Sequence, residues 1–104
     1  MLEKDIEAHL RDKVKDADGI AFKFTSPQRR SVPDRLVLMA IDSEKHREIV
    51  GRYVRFVELK APGKKPTDAQ LREHARLRAL GFRVMVIDNK PDAAALPGVM
   101  GMGL

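Results

Sequence analysis

The segment Thr67-Asp68-Ala69-Gln70, followed eleven residues later by Gly81, constrains the fold more than any other part of the chain because it fixes both ends of one helix. In a capping box the Thr67 hydroxyl accepts from the Gln70 backbone N–H, and the Gln70 side chain reaches back to Thr67. Neither Pro nor Gly interrupts residues 68–80, and Gly81 supplies the stop. On either side stand short runs rich in β-branched and aromatic residues, Arg52 to Lys60 before the helix and Phe82 to Ile87 after it. Two strands joined through a helix are expected to run parallel, with a right-handed crossover.

The N-terminal half is built from the other period. Leu2, Ile6, Leu10 and Val14 recur every four positions and predict an amphipathic helix over residues 2–15, with Gly19 a candidate left-handed cap. Ile20 to Phe24 alternates apolar and polar and reads as a short strand. Thr25 to Pro33 is polar, basic and bracketed by prolines, a surface loop. Arg35 to Ile41 reads as a buried strand, and Asp42 to Gly51 as a charged turn region with room for one helical turn at 43–48. The second and third strands are therefore expected to form an antiparallel pair. From Asn89 onward Pro, Ala and Gly predominate, predicting a weakly ordered tail with one helical turn near Asp92 to Leu96. The expectation is one α/β domain over residues 1–90 and a tail over 91–104. Its order is α-β-β-β-α-β, a small mixed sheet flanked by helices.

Composition narrows the chemistry. The chain has no cysteine, which excludes disulfide frameworks, Cys-ligated zinc, iron–sulfur clusters and thiol nucleophiles. No apolar run approaches the roughly 20 residues of a membrane span, and the first residues lack a signal-peptide core, so the chain reads as cytoplasmic with no membrane partner. Of its 20 Lys+Arg and 15 Asp+Glu, residues 21–65 hold 11 and 5, a local net charge of +6 against +5 for the whole chain. A basic middle points to an anionic partner such as nucleic acid.

Val57-Glu58-Leu59-Lys60 carries the most chemistry. Alternation along a strand puts Glu58 and Lys60 on one face, roughly 6.5 Å apart, with Leu59 turned the other way into the core. Pro33-Asp34 stands at the start of the second strand. If the second and third strands pair, Asp34 and Glu58 converge on one hard cation. Mg²⁺ takes carboxylate oxygens and retains waters, and a lysine beside it can orient the attacking water and offset phosphate charge.

These residues, in this order, resemble the PD-(D/E)XK nuclease superfamily and, more closely, its virus-type replication-repair nuclease (VRR-NUC) family. The matching segments are a helix acid at Glu7, Lys23-Phe24-Thr25-Ser26-Pro27, Val32-Pro33-Asp34-Arg35, Phe56 to Gly63, and Gln70 with His74 one turn later, spanning roughly residues 3–87. The resemblance implies a metal-dependent nuclease in which Asp34, Glu58 and the main-chain carbonyl of Leu59 ligate Mg²⁺, with Mn²⁺ able to substitute. It also implies Lys60 as the catalytic lysine, with Glu7 and Gln70 supporting the site. Glu3, one turn before Glu7, competes for the role of helix acid, and Gln70 has an alternative role as half of the capping box. Small standalone members resemble phage-encoded homodimers that cut branched DNA, four-way junctions or flaps, in replication, recombination or repair. The rival expectation is a non-catalytic nucleic-acid-binding module on the same scaffold.

Around these positions Lys23, Arg29, Arg30, Arg35, Lys64 and Lys65, with His74, are the candidate DNA contacts, tracking phosphates with little base specificity. His9 and His46 lack neighbours at ligand spacing. Ala61 to Pro66 is not G-x-x-x-x-G-K-[ST], which argues against an NTPase.

Overall fold

A computed structural model describes all residues except Ser26, Pro27 and Arg29. The element order is α1 (Glu3–Asp16), β1 (Ile20–Lys23), β2 (Arg35–Leu38), α2 (Glu44–Tyr53), β3 (Phe56–Leu59), α3 (Asp68–Leu80), β4 (Val84–Ile87) and α4 (Lys90–Gly101). The chain divides into two compact units, Met1–Ala40 and Ile41–Leu104.

In the first unit β1 and β2 form an antiparallel ladder, from Ile20 opposite Leu38 to Lys23 opposite Arg35. The Phe24 N–H donates to the Asp34 carbonyl at 2.8 Å and closes the loop beyond the ladder. Helix α1 packs on β1 and buries Val14, while β2 buries Leu38. The start of α1 is held by the Asp5 carboxylate, which accepts from the Leu2 N–H at 3.1 Å. Gly19 is not the left-handed cap expected of it. Asp18 takes that conformation (φ 63°), and Gly19 is required for space, since a Cβ there would lie 2.6 Å from the Leu38 carbonyl oxygen.

The second unit contains the β3-α3-β4 crossover. β3 and β4 are parallel, Phe56 opposite Val84 through Leu59 opposite Ile87, and the Lys60 N–H continues the ladder to the Ile87 carbonyl at 3.0 Å. α3 has the limits expected of it and both bonds of its capping box, Gln70 N–H to Thr67 Oγ1 at 3.1 Å and Thr67 N–H to Gln70 Oε1 at 3.0 Å. Gly81 ends it at φ 103°, and Leu77, Leu80 and Ile87 form the core.

Three expectations are corrected. Residues 44–53 are a ten-residue helix rather than a turn, capped by Ser43 accepting from the His46 N–H; Arg52 and Tyr53 belong to it, and β3 starts only at Phe56. With a helix where a tight turn was expected, β2 and β3 do not pair among the described residues: β2 is laddered to β1 and β3 to β4, giving two two-stranded sheets instead of one mixed sheet. The order is thus α-β-β-α-β-α-β-α. Finally, residues 90–101 are a helix rather than a weakly ordered tail. Asn89 accepts from the Asp92 N–H at 2.8 Å, Pro91 sits in the first turn, and α4 packs on α2. The chain beyond α4 is tied by Arg55, which donates to the Leu104 carbonyl at 2.6 Å, and by Arg83, which donates to that of Gly103. Among the described residues no helix is long and apolar enough to cross a membrane.

Both ends of α3 are testable by denaturant unfolding. Thr67→Ala loses the cap hydroxyl and is expected to cost about 1 kcal/mol. Gly81→Ala is expected to cost more than about 1 kcal/mol, because its φ disfavours a side chain and a Cβ would lie 2.8 Å from Arg47 Nε and 3.1 Å from Ile41.

Candidate active site

In the first unit the spacing of α1 and the start of β2 bring three carboxylates together. Glu3 and Glu7 are four residues apart on one face of α1, and Asp34 immediately precedes β2. Glu3, Glu7 and Asp34 each offer one oxygen, and these oxygens lie within 4.8 Å of one another. An all-oxygen donor set of this size suits a hard divalent cation such as Mg²⁺ or Mn²⁺. The choice the sequence left between Glu3 and Glu7 is therefore not exclusive, since the structure gathers both with Asp34.

Arg35, expected among the exposed DNA contacts, is engaged in this cluster instead. Its guanidinium donates to Glu7 Oε2 at 3.2 Å, and its side chain is only 16% exposed. Lys23, opposite Arg35 in the ladder, is exposed at the end of β1. Arg30 is exposed as well, and Arg29 lies outside the described residues, as do Ser26 and Pro27 of the Lys23–Pro27 segment.

In the second unit β3 presents Glu58 toward α3 rather than toward open solvent. Glu58 Oε1 lies 3.2 Å from Nε2 of His74, a buried residue on α3. His74, grouped with the DNA contacts from sequence, is thus too enclosed to meet a duplex and is bound to the carboxylate of the E-x-K motif. Leu59, expected in the core, is 70% exposed. The face of β3 that meets protein is the one bearing Glu58. Lys60 is half-buried at the end of the strand. Gln70 spends its side-chain oxygen on the capping box, which leaves its amide N–H₂ as the group able to reach a ligand.

The loop after Lys60 is anchored to the end of β4. Gly63, at φ 78°, donates its N–H to Asp88 Oδ2 at 3.3 Å, and Lys64 and Lys65 stand exposed on this loop. The Asn89 side-chain amide, and after it the Gly63 N–H, hold the Asp88 carboxyl below the usual carboxylate range.

Three signals in the sequence would have found the missed contacts. The i,i+4 spacing of Glu3 and Glu7 places both on one helix face. Arg35 directly follows Asp34 at the start of a strand. His74 falls on the face of α3 that also carries Leu77.

The chain is 52% identical over 97 residues, 93% of its length and 94% of the other's, to "Putative nuclease p44" of Acyrthosiphon pisum secondary endosymbiont phage 1. A solved structure described as "VRR_NUC domain" aligns over 90% of this chain and 91% of that one, at 26% identity and a TM-score of 0.40. No family model matches the chain.

Arg35→Ala would leave Glu7 without its counter-charge and is expected to lower stability by up to about 1 kcal/mol in urea unfolding. For Asp88 the depressed folded pKa means that the loop anchor contributes above the ordinary carboxylate value of about 3.9 and is lost as pH falls through the lower folded value. The Gly63 amide resonance, followed by NMR during acidification, should report a midpoint below about 3.9.

Proposed function

This chain belongs to the family of the phage nuclease p44, and we propose that it is a metal-dependent endonuclease that hydrolyses phosphodiester bonds in branched DNA. The Asp34 and Glu58-Leu59-Lys60 signature is that of the VRR-NUC nucleases, with no signature position missing. The observation that carries the reading is the meeting of Glu3, Glu7 and Asp34, acids from separate elements whose oxygens lie within 4.8 Å. Like charges so placed repel one another unless a cation is present, and the single guanidinium of Arg35 is bonded to only one of them.

Asp34 and Glu7 in the first unit, and Glu58 with the Leu59 carbonyl in the second, are each proposed as ligands of Mg²⁺, for which Mn²⁺ can substitute. When bound, such an ion polarises the phosphodiester and stabilises the charge developing in the transition state. The protein's own part is positional. Lys60 orients the attacking water and offsets phosphate charge, while the amide of Gln70 supports the site. The water oxygen forms the new bond to phosphorus, the bond to the leaving sugar oxygen breaks, and one proton passes from water to solvent as another reaches the leaving oxygen.

Lys23, Arg29, Arg30, Lys64 and Lys65 are proposed to follow the DNA backbone, giving affinity that falls steeply with salt. A homodimer would supply two symmetric sites for two symmetric cuts across a four-way junction.

The test is cleavage of four-way junction, flap, splayed and linear DNA with Mg²⁺ or Mn²⁺. Branched substrates should be cut in preference. Asp34→Ala should abolish cleavage, and Lys60→Ala should slow it by about 10²- to 10⁴-fold without loss of DNA binding. Salt-sensitive binding with no cleavage under either metal would replace this reading by that of a non-catalytic DNA-binding module.

A further inference from the structure

A buried histidine on a helix bonded to one oxygen of a strand carboxylate has a role beyond packing. His74 is 5% exposed, its Nε2 lies 3.2 Å from Glu58 Oε1, and its Nδ1 is buried with no partner among the described residues. A proton on Nδ1 would be a buried N–H without an acceptor, costing about 1–3 kcal/mol, whereas a proton on Nε2 is satisfied by Glu58. The geometry therefore selects one arrangement: Nε2–H donates, and Glu58 Oε1 accepts. That bond occupies Oε1 and leaves Oε2 of the same carboxylate available.

Both partners are held by elements whose position is fixed independently. Glu58 sits in the middle of the β3–β4 ladder opposite Val86. His74 sits in the second turn of α3, whose start is set by the Thr67 capping box and whose next turns bury Leu77 and Leu80. The imidazole is thus a rigid donor aimed at a carboxylate that would otherwise sample several rotamers.

We infer that His74 is a positioning residue for Glu58, fixing the carboxylate so that its free oxygen is presented to a divalent cation. The inference rests on Glu58 being a metal ligand, as proposed above. Groups that orient a ligating side chain contribute about 10- to 100-fold to metal affinity, and no DNA contact is asked of the imidazole.

The experiment measures Mn²⁺ binding to the full chain by electron paramagnetic resonance of the free ion, in the absence of DNA. His74→Phe, which keeps a ring and removes the donor, should weaken binding by about 10- to 100-fold. His74→Gln, whose amide N–H₂ is placed like Nε2, should restore most of that loss. Glu58→Gln is the reference for the ligand itself. If His74→Phe folds and binds Mn²⁺ as the parent does while Glu58→Gln does not, the positioning role is wrong and the ligand assignment stands. If Glu58→Gln binds like the parent, the ligand assignment falls and takes this inference with it. Ring ¹⁵N spectra of the unaltered protein give a second reading that needs no variant to fold. They should show His74 protonated at Nε2 and its Nε2 signal moving when Mg²⁺ is added, and protonation at Nδ1 alone would overturn the proposal.

Discussion

The parallel pairing of β3 with β4 is the constraint on which the second unit depends. Strands joined in parallel cannot be closed by a turn, since the chain must return to the same end before the second begins. Helix α3 provides that return, and its two ends are set locally, by Thr67 with Gln70 and by Gly81. Because α3 must cover the strands it connects, Leu77 and Leu80 are buried along with Ile87, and His74, on the same side of the helix, is carried to Glu58. One crossover therefore orders the core and the charged pair together. The E-x-K motif sits at the end of β3, where the chain leaves the ladder with its last bond at Lys60.

The first unit solves a different problem with the same economy of parts. Three acids lie near enough to repel one another, and among the described residues Arg35, bonded to Glu7, is the one cation paired with them. Its positive charge is supplied from the residue that follows Asp34, so the ladder register that places the acid also places its counter-charge. The basic excess of residues 21–65 is then divided between different duties. Arg35 is consumed internally and Arg55 ties down the C-terminal residues, whereas Lys23, Arg30, Lys64 and Lys65 remain at the surface. Burial, and after it the neighbouring Arg83, lower the pKa of Arg55. Net charge by sequence overstated how much of this basicity faces outward.

Legibility followed the range of the interaction. α3 was readable to the residue because a capping box and a stop glycine act within a few positions of the backbone they govern. α2 was missed because its charged residues from Glu44 to Glu48 read as a turn and Arg52 and Tyr53 were joined to the β-branched run that follows, although Ser43 offered a helix cap ahead of them. α4 was missed for a related reason. Ala, Pro and Gly suggested a tail, yet Asn89 caps the segment, Pro91 is tolerated in its first turn, and packing against α2 outweighs Pro97. The inward placement of Leu59 failed because strand alternation fixes two faces but not which of them meets protein. In this fold it is the face bearing Glu58.

By itself the sequence determined the α/β class, the β3-α3-β4 crossover and the family. These are local or pairwise properties, carried by spacing along the chain. Only the tertiary structure decided that Glu3 and Glu7 both meet Asp34, that Arg35 neutralises Glu7 rather than facing outward, and that His74 bonds Glu58. Each of those joins side chains between 16 and 31 residues apart, where the partner is chosen by how elements pack, and packing is set by the whole set of buried surfaces rather than by any one segment.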